Sequence, residues 1–178
     1  MDQKDYLKLS ERTEKKFPDG FTMTSDQQVI MNYLADDLSE INQALDHMKK
    51  HMIYGAECVI QPTNSDYEIR RKRLSPIQME LLHAAMGKVT EAIEFYEAVY
   101  DHVAKDKELD VPNLFEEIGD GHWYDALALR LMGKTFNEAW STNILKLAER
   151  YGDKFSEDAA LVRDLKSERK ILEEGASQ

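Results

Sequence analysis

Four carboxylates stand out by their spacing. Glu91 and Glu94 are three residues apart, as are Glu117 and Asp120. On a helix that spacing puts both members of a pair on one face within a single turn, where they can share one hard cation. Two such helices set face to face would gather four oxygen-donor groups. Glu117 and Asp120 share a stripe with Tyr124, Leu127 and Leu131, so the pair is predicted to point inward. Inward carboxylates without partners are costly and take up protons, so the pattern calls for basic neighbours or for bound metal. Glu91 and Glu94 lie off the main apolar stripe of their helix, in line with His83, Gly87, Ala98 and Asp101. The small residues in that line leave room beside the carboxylates, although the pair taken alone reads more readily as a solvated helix face.

Further along, Asn143, Lys146 and Arg150 fall at i, i+3 and i+7. They form one line beside the apolar stripe of their helix, so an amide, an ammonium and a guanidinium can converge on one ligand. Arginine suits a phosphate because its planar fork donates two hydrogen bonds. The plainer alternative is that Lys146 and Arg150 balance acidic neighbours on a surface helix.

The elements that must position these groups are helical. Ile30, Leu34, Leu38, Ile41, Leu45, Met48 and Met52 recur at spacings of four and three, which predicts an amphipathic helix from about 26 to 54. Ser25 with Gln28 forms its capping box and Gly55 its stop. Residues 56 to 74 hold Pro62, Asn64 and the basic run Arg70, Arg71, Lys72 and Arg73 without a period, and read as a loop. Ser75, Pro76 and Gln78 open a second long helix, to about 104, along Leu82, Ala85, Met86, Val89, Ile93, Tyr96, Tyr100 and Val103. A third, about 113 to 132, is apolar nearly all round and is expected in the middle of a bundle. Thr135 and Glu138 cap a fourth, along Phe136, Trp140, Ile144, Leu147 and Tyr151. A last helix is expected over about 157 to 173, and a short one near 3 to 15. The fold class is therefore all-α: a bundle of four or more helices packed at coiled-coil-like angles. The whole is read as one domain, with residues 1–74 as N-terminal helices and loop, and residues 75–178 as the core that carries the chemistry.

Composition narrows the partners. Acidic residues outnumber basic ones by 34 to 23, a formal charge of −11, which disfavours sequence-independent binding to nucleic acid. No run of about 18 apolar residues exists to span a membrane. The single Cys58 cannot form an internal disulfide and the first ten residues hold no apolar signal core, so a reducing cytoplasm is the expected setting.

Glu91-Ala92-Ile93-Glu94, 22 residues, then Glu117-Ile118-Gly119-Asp120 resembles the E-x-x-E, spacer, E-x-x-D signature of MazG-like nucleoside triphosphate pyrophosphohydrolases. Those enzymes belong to the all-α NTP pyrophosphatase superfamily. Leu81 to Gly87 is similar to the family's lead-in, Trp123-Tyr124 follows the aspartate as the family commonly shows, and Asn143-x-x-Lys146-Leu147-x-x-Arg150-Tyr151 resembles its triphosphate-facing element. The likeness covers roughly residues 75 to 173. It implies a MazG-like bundle and hydrolysis of a (deoxy)nucleoside triphosphate between the α and β phosphates. Glu91, Glu94, Glu117 and Asp120 would then be metal ligands, one of the glutamates also taking the proton of the attacking water. Asn143, Lys146, Arg150 and Tyr151 would meet the substrate. Four carboxylates facing a triphosphate require cations, Mg²⁺ or alternatively Mn²⁺, in a number of two or three. Subunits of the resembling enzymes usually pair, so a homodimer or homotetramer is expected.

Two departures touch the pocket and leave the metal ligands in place. Ile93 stands where the family often has a small residue, and Gly121-His122 replaces a frequent leucine pair. The segment from about 36 to 74 is longer than the family would suggest and is expected to carry a lid or a subunit contact. Phosphoribosyl-ATP pyrophosphohydrolases use a similar acidic arrangement and stay open as an alternative, as does a non-catalytic helical adaptor. A ferritin-like di-iron bundle would need Glu-x-x-His on two helices, and only Glu80 with His83 offers one. His47 and His51 are read as surface residues, Cys58 carries no role, and Trp123 and Trp140 are expected in the core.

Overall fold

A computed structural model describes residues 1–15, 23–57 and 73–175. Cys58, Pro62, Asn64 and Arg70 to Lys72 lie outside the described residues. Every regular element among those described is helical: α1 Gln3–Ser10 with a 3₁₀ turn Glu11–Thr13, α2 Ser25–Tyr54, α3 Pro76–Lys105, α4 Val111–Met132, α5 Phe136–Tyr151, α6 Glu157–Leu161 and α7 Leu165–Gly175. The all-α class follows. No helix among the described residues is long and apolar enough to cross a membrane.

Helix starts obey local side-chain chemistry. Ser75 and Gln78 close a reciprocal capping box on α3 with Pro76 in its first turn, and Thr135 and Glu138 do the same on α5. On α2 the box sits one residue earlier than the sequence suggested, on Thr24 and Gln27. The expected single last helix is two. Val162 turns extended after α6, and the Asp164 carboxylate then accepts from the backbone N–H groups of Lys166 and Ser167 at 3.0 and 3.1 Å. That carboxylate restarts the chain as α7, because an aspartate serves a helix start better than its interior.

The chain divides into two compact units. One holds α2, α3 and α4 (Thr22–Met132); the other joins Met1–Phe21 to Gly133–Gln178. The boundary at residue 74, drawn from the extent of the motifs, is a different division.

Within the first unit α3 is the centre, packed on both α2 and α4. Its Ala84, Met86, Ile93 and Tyr100 are buried, but so are Gly87, Thr90 and Glu91. Two sequence-based expectations fail here. Part of the apolar stripe of α2 faces outward, with Ile30, Leu34 and Ile41 each about half exposed, while Leu38, Leu45 and Met48 are half-buried and its buried residues are Ala35 and Lys49. Polar groups make its contact with α3: Tyr100 donates to Asn32 Oδ1 at 2.5 Å, and Asn42 donates to Glu94 Oε1 at 3.3 Å. Likewise α4 is not enclosed. Phe115, Ile118 and Trp123 are exposed, and its one buried residue is Glu117. Position on a helix face predicted a core role for Trp123, but a helix packed chiefly on a single neighbour leaves its far side to solvent.

In the other unit, Trp140 does sit among aromatics, stacked on Tyr6 with centroids 5.6 Å apart and tilted against Phe136. Glu168 of α7 is the buried polar anchor of this unit, 4% exposed and gripped by two arginines.

Candidate metal centre

Glu91 and Glu94 descend from α3 on the face that meets α4, and Glu117 comes from α4. Carboxylate oxygens of these three residues all lie within 4.8 Å of one another. Glu117 is 8% exposed, Glu91 9% and Glu94 half-buried, so the oxygens stand close together with little of each residue in contact with solvent. Burial and the neighbouring Glu94 charge raise the Glu117 carboxyl to about 7, and a hydrogen bond to Glu91 contributes in the same direction. Burial also raises Glu91, with Glu94 adding to it and Thr90 and Lys49 opposing it. Burial and the crowding of like charges thus favour the protonated form of Glu117.

Asp120 is exposed and is not among the three carboxylates that converge within 4.8 Å. It borders a recess of about 310 Å³ with Glu91, Tyr54, Trp123 and Tyr124. On the other flank, Glu91 and Glu117 line a recess of about 320 Å³ with Ala92, Phe95, Ile118 and His122. Glu94 and Glu117 also wall a third hollow, of about 490 Å³, with Glu97 and Asp101. The centre is thus open on several sides to something of small-molecule size.

The donor set fits a hard divalent cation: three carboxylates and no sulfur or imidazole, as Mg²⁺ or Mn²⁺ prefers. A further carboxylate supports that fit. Glu97 lies one turn beyond Glu94, and its Oε1 is buried with no hydrogen-bond partner among the described residues. The sequence reading missed Glu97, although Glu91, Glu94 and Glu97 continue a single i, i+3 ladder.

It also missed Lys49. This α2 residue is 8% exposed, and its Nζ lies 3.2 Å from Thr90 Oγ1, 3.4 Å from Asp46 Oδ1 and 5.7 Å from the centroid of the Tyr124 ring. Burial works against its charge, but Tyr124, Asp46 and Glu91 together hold the ammonium above its ordinary value. Thr90, the most buried side chain of the unit, lies 3.1 Å from Glu91 Oε1. A pattern of small and polar residues offered the signal: Asn32, Ala35, Ser39, Asn42, Asp46 and Lys49 recur at three and four.

Gly87 explains how α4 comes so near. A Cβ there would overlap the Tyr124 ring, so only glycine lets that ring lie across α3. Tyr124 and Trp123 meet edge to face at 5.0 Å, and both border His83. His83 also meets the Tyr54 hydroxyl at 3.3 Å, and burial, with Lys49 nearby, lowers its pKa.

The remaining predicted residues lie in the other unit. Asn143 donates to the Tyr6 hydroxyl at 3.0 Å. Arg150 spends its fork on Glu168, at 2.7 and 2.6 Å, with Arg163 joining at 2.6 Å. Tyr151 packs against Phe155. Lys146 is half-buried on α5. His47 and His51 are exposed, as read from the sequence.

No protein-family model, curated protein or solved structure matches the chain.

Proposed function

We propose that the chain is a Mg²⁺-dependent pyrophosphohydrolase of (deoxy)nucleoside triphosphates, releasing a nucleoside monophosphate and pyrophosphate. One observation carries this reading: three of the four carboxylates singled out by the E-x-x-E and E-x-x-D spacing have oxygens within 4.8 Å of one another. The likeness of the motifs to MazG-like enzymes supplies the reaction.

Glu91, Glu94 and Glu117 would hold the ions, with Asp120 assigned to them on its spacing. The chemistry such a group would supply is neutralisation of the triphosphate, a water of lowered pKa and stabilisation of the departing pyrophosphate. The protein's own part is to hold the carboxylates at fixed positions, to release the proton that Glu117 carries near neutral pH, and to take up the proton of the attacking water on a glutamate. A phosphate contact for Lys146 is proposed on the motif resemblance alone. Arg150 is a weaker candidate for that role, since Glu168 already occupies both arms of its guanidinium.

A screen of common and modified nucleoside triphosphates, with phosphoribosyl-ATP as a separate arm, tests the reading. Monophosphate and pyrophosphate appearing only with Mg²⁺ or Mn²⁺ support it, and the arm that responds decides between the two substrate classes. No hydrolysis in any arm, together with no Mg²⁺ uptake by the protein, overturns it.

A further inference from the structure

The acidic centre has a cation of its own, delivered by a helix that carries none of its carboxylates. Lys49 is nearly enclosed, and a buried ammonium persists only where opposite charges or hydrogen-bond acceptors answer it. Two of its answers are clear. Asp46 sits one turn earlier on α2 at 3.4 Å, but it also faces Lys50 at 2.5 Å, so its charge is divided. Across the helix interface Thr90 accepts from Lys49 at 3.2 Å, and its single hydroxyl proton is shared between the Gly87 carbonyl at 2.8 Å and Glu91 Oε1 at 3.1 Å. Tyr124 of α4 closes the site with its ring face toward the ammonium.

We infer that Lys49 is the resident counter-cation of the acidic centre: it positions Glu91 through Thr90 and, by its fixed charge, sets how tightly the centre holds divalent ions. This rests on the metal-centre reading for its second half only. The α3–α4 contact crowds Glu91, Glu94 and Glu117 together, and their mutual repulsion opposes that contact whenever no ion is present. Lys49 offsets part of the repulsion at all times, so the metal-free chain can keep its three helices together. The same charge repels an incoming Mg²⁺, because a unit charge acts on a divalent ion with twice the force it exerts on a monovalent one. The residue therefore trades ion affinity for a centre that stays assembled between ions. Lys49 touches no reacting atom and is a positioning residue.

The test uses the full chain. In EDTA, Lys49→Met is expected to lower Tm by about 5 °C, but by less than about 2 °C once Glu91 is Gln, since the opposing charge is then gone. Calorimetric titration with Mg²⁺ alone is expected to show about tenfold tighter binding to Lys49→Met than to the unmodified chain. Lys49→Arg, which keeps the charge, should behave as the unmodified chain in both measurements. A Lys49→Met chain that fails to fold by itself but folds with Glu91→Gln gives the same result in stronger form, and one that folds in neither background overturns the inference. Equal Tm losses in both backgrounds overturn it too, as does Mg²⁺ binding to Lys49→Met no more tightly than to the unmodified chain. If the unmodified chain takes up no Mg²⁺, the metal-centre reading and the affinity role fall together, and the EDTA cycle decides whether Lys49 still serves as Glu91's counter-cation.

Discussion

Glu117 is the residue whose chemistry a divalent ion would change most if the proposed centre takes one up. Its carboxyl titrates near 7 when folded, against 4.5 for a solvated glutamate, so the folded chain binds the extra proton between those values. The stabilisation is fully present below about pH 4.5 and is lost as pH rises through 7. The metal-free protein is therefore expected to lose Tm from pH 5 to pH 8, and Glu117→Gln, neutral throughout, is expected to flatten that slope. Melting both proteins in EDTA across the range checks it; parallel curves would remove the assignment. Mg²⁺ bound at the proposed centre would displace the proton, so calorimetry at pH 6.5 in buffers of different ionisation enthalpy should register proton release. Glu117→Gln and Asp120→Asn should each lower turnover at least about a hundredfold while leaving the helical circular-dichroism signal unchanged. Retained turnover in both variants would remove these residues from the site.

At the scale of elements, two contacts can be broken with single atoms. Gly87→Ala places a methyl where the Tyr124 ring lies, so α4 must shift from α3 or the ring must leave its place over Lys49. A loss of Tm of several degrees is expected, and Gly87→Ala with Tyr124→Leu should recover part of it. Equal stability of Gly87→Ala and the unmodified chain would mean that the ring is not held there. In the other unit, Glu168→Gln leaves Arg150 and Arg163 without their shared carboxylate, which should cost of order 3 kcal/mol by urea denaturation. What could be read from the sequence separates along the same lines. The starts of α3 and α5 were legible because Ser75 with Gln78 and Thr135 with Glu138 close their bonds within four residues. The convergence of Glu91, Glu94 and Glu117 was legible because a ladder of spacing fixes which groups share a face. The outward turn of α2's apolar stripe was not legible, since it depends on which neighbour a helix finds. Lys49 escaped notice because a lysine amid polar residues reads as solvated until a second helix is known to cover it.

For the molecule as a whole, that outward stripe poses the remaining question of what it is for. Val29, Ile30, Tyr33, Leu34 and Ile41 are between 48% and 69% exposed along a single helix, although a row of this kind ordinarily marks a contact surface. We expect a second copy to cover it, with the two α2 helices antiparallel about a two-fold axis. Ile41 lies near the midpoint of the helix and would meet its own counterpart close to the axis, where one substitution acts twice. Ile41→Glu should therefore convert a dimer to a monomer at micromolar concentration while leaving the helical content unchanged, because position 41 is half exposed within the single chain. Sedimentation of the unmodified protein and of Ile41→Glu decides the matter. A monomeric unmodified chain at tens of micromolar, or a variant that stays paired, would show that the α2 stripe is not the interface. The acidic centre lies on the α3–α4 side of the same unit, so loss of pairing is expected to leave Mg²⁺ uptake intact, and the two measurements can fail independently.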